Sequence, residues 1–165
     1  MTTRELFWRR GLGTYTEQDA VDWALEEIAR RPATANLAAL AGASPPYNSF
    51  EVEDLLRGAL REIGTSEPAA EDSFRDYVCA TVGRILRREI SESDGCRLLA
   101  DAHGGDISRI ELQPFWFLQM ALDDDRADGF QYYDLRFNGQ NFAELVRTEA
   151  QRLSASICER SGGAV

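Results

Sequence analysis

Four aspartates fall within six residues of this chain, as Asp123-Asp124-Asp125 and Asp128. Carboxylates at that density can hold a divalent cation, pass a proton between them, or present a negative edge to a basic partner. The calcium-loop register fails. With Asp124 and Asp128 at its first and fifth positions, Arg126 occupies the third and Leu135 the twelfth. Phe130, Tyr132 and Tyr133 follow directly, and ring faces attract the same cations as carboxylates do. The candidate partner-binding residues are therefore Asp123, Asp124, Asp125, Asp128, Tyr132 and Tyr133. For the three rings, core packing is expected of at least two.

Other residues with chemical potential are few. His103 is the only histidine, which excludes two-histidine metal sites and the zinc-protease helix. It stands before Gly104-Gly105 at an expected helix end, where it can bond a last carbonyl. All 18 basic residues are arginine. Without lysine there is no phosphate-loop lysine, Schiff-base lysine, kinase strand lysine or Ser/Lys dyad. Cys79, Cys96 and Cys158 are odd in number and far apart, so no disulfide framework is expected and a reducing cytoplasm fits best. Cys79 and Cys158 read as buried small hydrophobes and Cys96 as more exposed. A zinc site of the three cysteines with His103 lacks any close ligand pair.

Gly11-Leu12-Gly13 opens like a dinucleotide fingerprint, but Thr16 fills the third glycine position and no strand precedes it. Arg4, Arg9 and Arg10 with Phe7 and Trp8 form a basic and aromatic arm, with docking of Leu6, Phe7 and Trp8 onto the fold expected. Arg84, Arg87 and Arg88 cluster at a helix end, where they complement the dipole.

The elements that must position these groups are helices. Thr16 caps a run ending before Pro32, a short helix lies between Thr34 and Gly42, and Asn48 opens a stripe through Ile63 that Gly64 closes. The longest helix starts at Ser66-Glu67-Pro68 and runs to Ile90, and a shorter one carries Leu98, Leu99 and Ala102. Pro114 opens a buried helix over the apolar run Phe115–Leu122, although periodicity alone does not separate it from a strand. If that run is helical, the three aspartates stand at its negative end, a local conflict of the kind that marks functional sites. Tyr133, Leu135 and Phe137 alternate with Asp134 and Arg136, the pattern of a short extended segment near 130–137. A last helix spans about Asn141 to Ser156.

The expected fold is all-α, an irregular compact bundle of six or seven helices, with an N-terminal arm over 1–15, one domain over 16–158 and a tail over 159–165. The 28 acidic residues exceed the 18 basic ones by 10, a field that repels phosphate backbones and anionic lipid, so neither nucleic acid nor membrane is an expected partner. No cofactor or metal is expected. The Arg- and Ala-rich, lysine-free composition points to a GC-rich bacterial genome. Function reads first as a small acidic protein-interaction module, of a bacterial inhibitor or immunity type, that engages a basic protein. The alternatives are a carboxylate- or metal-dependent enzyme with a site in a helical cleft and a regulatory or structural subunit of an oligomer, a homo-oligomer included, whose Phe115–Leu122 segment is partly buried only in the assembly.

Overall fold

Side chains of Thr2, Asn48 and Ser91 each accept a backbone N–H and so start a helix. In the computed structural model, which describes residues 1–158, the helices are α1 (Thr3–Leu12), α2 (Glu17–Arg30), α3 (Ala35–Ala41), α4 (Ser49–Glu62), α5 (Ala70–Leu86), α6 (Glu92–His103), α7 (Gln113–Asp128) and α8 (Phe142–Leu153). A 3-10 turn at Ile110–Leu112 precedes α7, and a π turn at Ser154–Cys158 follows α8. The fold is all-α, with no strand among the described residues. The expected tail at 159–165 lies outside them, as does the side chain of Asp128. Among the described residues no helix is long and apolar enough to cross a membrane.

The chain divides into two compact units, Met1–Phe74 and a second beginning at Arg75, with the boundary inside α5. In the first unit, Leu6 of α1, Val21, Trp23 and Ala24 of α2, Leu37 and Leu40 of α3, and Val52, Leu56 and Leu60 of α4 form the core. The stretch read as an arm is thus a helix with an inward face. Thr2 and Glu5 start it by exchanging backbone bonds, Glu5 N to Thr2 Oγ1 at 3.2 Å and Thr2 N to Glu5 Oε2 at 2.7 Å. Gly11 sits so close to the first turn of α5 that a Cβ there would meet Phe74 N at 2.6 Å.

In the second unit, Val78, Val82 and Ile85 of α5 join Leu99 of α6, Phe115 and Leu118 of α7, and Val146 and Leu153 of α8 in the buried interior. The helix expected to reach Ile90 ends at Leu86, because Arg88 turns left-handed at φ 59° and its N–H bonds Ile85 O at 3.0 Å. Two cysteine expectations are corrected. Cys79 and Cys158 form a disulfide with Cα atoms 5.6 Å apart, tying the end of the π turn to α5. Sequence spacing missed it because 79 residues separate the partners, a distance over which no local pattern signals a pair. Cys96 is the buried one: its Sγ donates to Phe115 O at 3.4 Å, and burial pushes its thiol up to about 12.

Candidate functional site

The aspartate cluster is helical. Leu118, Ala121 and Leu122 of α7 are buried, and that burial carries the helix through Asp123–Asp125 against the dipole. Local bonds help: Gln119 Nε2 donates to Asp123 Oδ1 at 2.9 Å, one turn away. Gly129 caps the end at φ 69°, its N–H bonding Asp125 O at 2.9 Å. The helical reading of the 115–122 run thus holds, and the helix continues through the aspartates. Asp123 is exposed, Asp124 and Asp125 are half-buried, and Asp128 is the last residue of the helix.

The segment after Gly129 is neither strand nor slack loop. Asp134 is buried and folds the chain into a turn, with Phe137 N bonding Asp134 O at 3.0 Å. That turn destroys the alternation of Tyr133, Leu135 and Phe137: Phe137 points inward, edge-on to Phe142 with centroids 6.1 Å apart, and Leu135 points out. Gln131 clamps the turn from one side, accepting from Asp134 N at 3.0 Å and donating to Asp134 O at 2.8 Å. Arg136 clamps it from the other. Its Nε and Nη2 fork onto Asp134 at 3.0 and 2.7 Å, and its Nη1 reaches buried Glu149 of α8 at 2.8 Å. Hydrogen bonding from Arg136 holds the Asp134 carboxyl below the usual carboxylate range, and bonds to Asp134 and then Glu149 hold the Arg136 guanidinium above its own. Asn138 and Asn141 close the far side, with Asn141 Nδ2 on Arg136 O at 2.8 Å. Asp125 adjoins this frame, since a Cβ on Gly139 would lie 3.1 Å from Asp125 Oδ2.

On this braced frame the large apolar side chains face outward. Phe130 is 55%, Tyr132 77%, Tyr133 42% and Leu135 95% exposed. Core packing, expected of at least two of the three rings, is found for none. Phe130 and Tyr132 stack edge-on at 4.3 Å, so they form one aromatic surface. The structure thus places Asp123, Asp124, Asp125, Tyr132 and Tyr133 on α7's end and the loop that follows it. Sequence reading missed Asp134, Arg136 and Glu149, the residues that shape the loop. The available signal was the glutamine and aspartate at 131 and 134 between Gly129 and Asn138-Gly139, a turn composition rather than a strand's.

The remaining candidates have structural occupations. His103 is buried and accepts from Gly105 N at Nδ1, 3.1 Å away, with its ring 5.3 Å from that of Trp116. It bonds an amide after the helix rather than a carbonyl within it. Arg87 pairs with Glu89 at 2.7 Å, and the Gly11–Gly13 stretch is the end and cap of α1. Among the described residues no three His, Cys, Asp or Glu side chains converge as metal ligands. Phe115, Leu118, Ala121 and Leu122 are buried, whereas Trp116 and Phe117 are half-buried. Compared with protein-family models, with curated proteins and with solved structures, the chain matches none.

Proposed function

We propose that this chain is a protein-interaction module whose recognition surface is the loop over 130–135 together with Asp123, Asp124 and Asp125, and that its partner is a protein with a basic face. The observation that carries this reading is the pairing of display with bracing. Four large apolar side chains face solvent on one short loop, while Gln131, Arg136, Glu149 and Asn141 fix its backbone. A loop ordered before binding loses less entropy on docking, and exposed aromatic side chains are the residues that anchor interfaces. The adjacent carboxylates and the excess of 10 negative charges supply complementarity and steering toward a cationic surface.

An inhibitor or immunity-type role is the form of this function that the composition favours. A reducing cytoplasm was inferred from cysteines without partners, and the Cys79–Cys158 disulfide removes that support. The test is a tagged capture from lysate of the source organism, followed by titration of the recovered protein against wild type and two variants. One variant carries Asp123, Asp124 and Asp125 changed to Asn, and the other carries Tyr132→Ala with Leu135→Ala. One basic protein, weakened by salt and lost in both variants, supports the reading. Capture that is indifferent to both variants contradicts it.

A further inference from the structure

The first unit shows how this chain treats an aromatic ring beside carboxylates. The Arg10 guanidinium lies over the Tyr15 ring, 4.6 Å from its centroid. Its Nη1 and Nη2 fork onto Glu53 at 2.8 and 3.0 Å, and its Nε donates to Glu67. Ring, carboxylate and guanidinium make one unit of packing there. Arg4 covers Trp8 in the same way at 5.0 Å. The loop over 130–135 in the second unit supplies exposed rings, and the end of α7 supplies carboxylates. The loop's own guanidinium, Arg136, is committed to Asp134 and Glu149.

We infer that the aromatic loop 130–135, which follows the helix end carrying Asp124 and Asp125, receives arginine side chains of a protein partner in preference to lysine. The inference rests on the docking reading above and names the chemistry of what docks. A guanidinium is planar and weakly hydrated, so it can lie flat on a ring while its edge donates two bonds to a carboxylate. An ammonium is a compact, strongly hydrated charge that loses more water to reach the same place. Long-range attraction to an acidic protein treats the two alike, because it depends on net charge. Discrimination between them therefore reports contact with the rings.

The experiment is a fluorescence-anisotropy titration of the whole chain with two peptides of equal length, alternating arginine with serine and lysine with serine, near physiological ionic strength. The arginine peptide binds about tenfold tighter to wild type. Phe130→Leu with Tyr132→Leu and Tyr133→Leu keeps apolar bulk and removes all three rings, and it brings the ratio to about one with no change in melting temperature, because the three side chains are exposed. Equal affinities for wild type, or a preference that survives in the leucine variant, overturn the arginine inference and leave the docking reading in place. Failure of both peptides to bind, or binding that ignores the leucine variant and Asp124→Asn with Asp125→Asn alike, overturns the docking reading as well.

Discussion

Two clusters in this chain use the same side-chain types and leave them in opposite states. Around Tyr15 the ring is covered by Arg10, and that guanidinium is held by Glu53 and Glu67. Around Tyr132 the rings are open, and the nearest guanidinium in the loop is turned inward to brace the backbone. The first arrangement pairs its ring and carboxylates with a cation of its own chain and therefore reads as structure. The second leaves apolar area in water on a frame braced by Gln131, Arg136 and Asn141, and it is this contrast, rather than negative charge alone, that favours the proposed docking surface over a solvated acidic face. Burial tells the same story in titration terms. Desolvation, reinforced by the Glu53 charge, pushes the Tyr15 phenol above its ordinary range, and the Arg10 bond holds Glu53 below its own.

The contrast can be broken from several sides. The largest expected effect comes from the Cys79–Cys158 disulfide, which belongs to the second unit alone. By loop-closure entropy a loop of that length is worth about 4 kcal/mol. Cys79→Ser with Cys158→Ser should lower amide protection against hydrogen exchange in α6, α7 and α8 and leave α2, α3 and α4 unchanged.

Next in size is Arg10→Ala, which strips the cation from two carboxylates and a ring and costs about 2 kcal/mol in denaturant unfolding. It also turns the closed cluster into an open one. Guanidinium ion at millimolar concentration should raise the melting temperature of this variant and not that of wild type.

Arg136→Gln should cost about 1 kcal/mol, discounted because the guanidinium is half exposed. Its clearer consequence should be faster amide exchange at Asp134–Phe137 and weaker binding of the arginine–serine peptide, although Arg136 lies outside the proposed docking residues. Acid should reproduce that loosening in wild type. The Asp134 carboxyl is depressed in the folded chain, so its stabilising contribution is complete above the unfolded value of about 3.9 and is lost as pH falls through the folded one. Loop protection, taken relative to the intrinsic exchange rate at each pH from ~5 downward, should therefore fall below pH ~4. Smallest of all, Arg88→Gly relieves a left-handed non-glycine cap and should stabilise by about 0.5 to 1 kcal/mol, read as a higher melting temperature.

How far these clusters could be read from sequence depends on the range of the interactions that make them. Helices α2, α3, α4, α6 and α8 were legible because their caps and apolar spacing are local: Asn48 bonds Phe50 N, Ser91 bonds Asp94 N, and Gly104 terminates α6. The same local signal existed for α1 at Thr2 and Glu5, and the density of arginine and tryptophan obscured it. The acidic and aromatic run was visible as an anomaly, but its exposure was not, because ring burial depends on neighbours. The Phe137 and Phe142 contact fills the interior that Tyr133 and Leu135 were expected to share. Asp134 was legible only as a turn former and Glu149 not at all, since a buried carboxylate announces itself only through its partner. Arg136 meets them from 2 and 13 residues away. The disulfide was illegible for the same reason at greater range.

Backbone NMR of the whole chain, titrated with the arginine–serine peptide, tests the central contrast most directly. The account predicts chemical-shift changes concentrated at Asp123–Asp125 and 130–135, with Trp8, Arg10, Tyr15, Glu53 and Glu67 unmoved. Changes centred on the Tyr15 cluster, or spread evenly over the acidic surface, would contradict it.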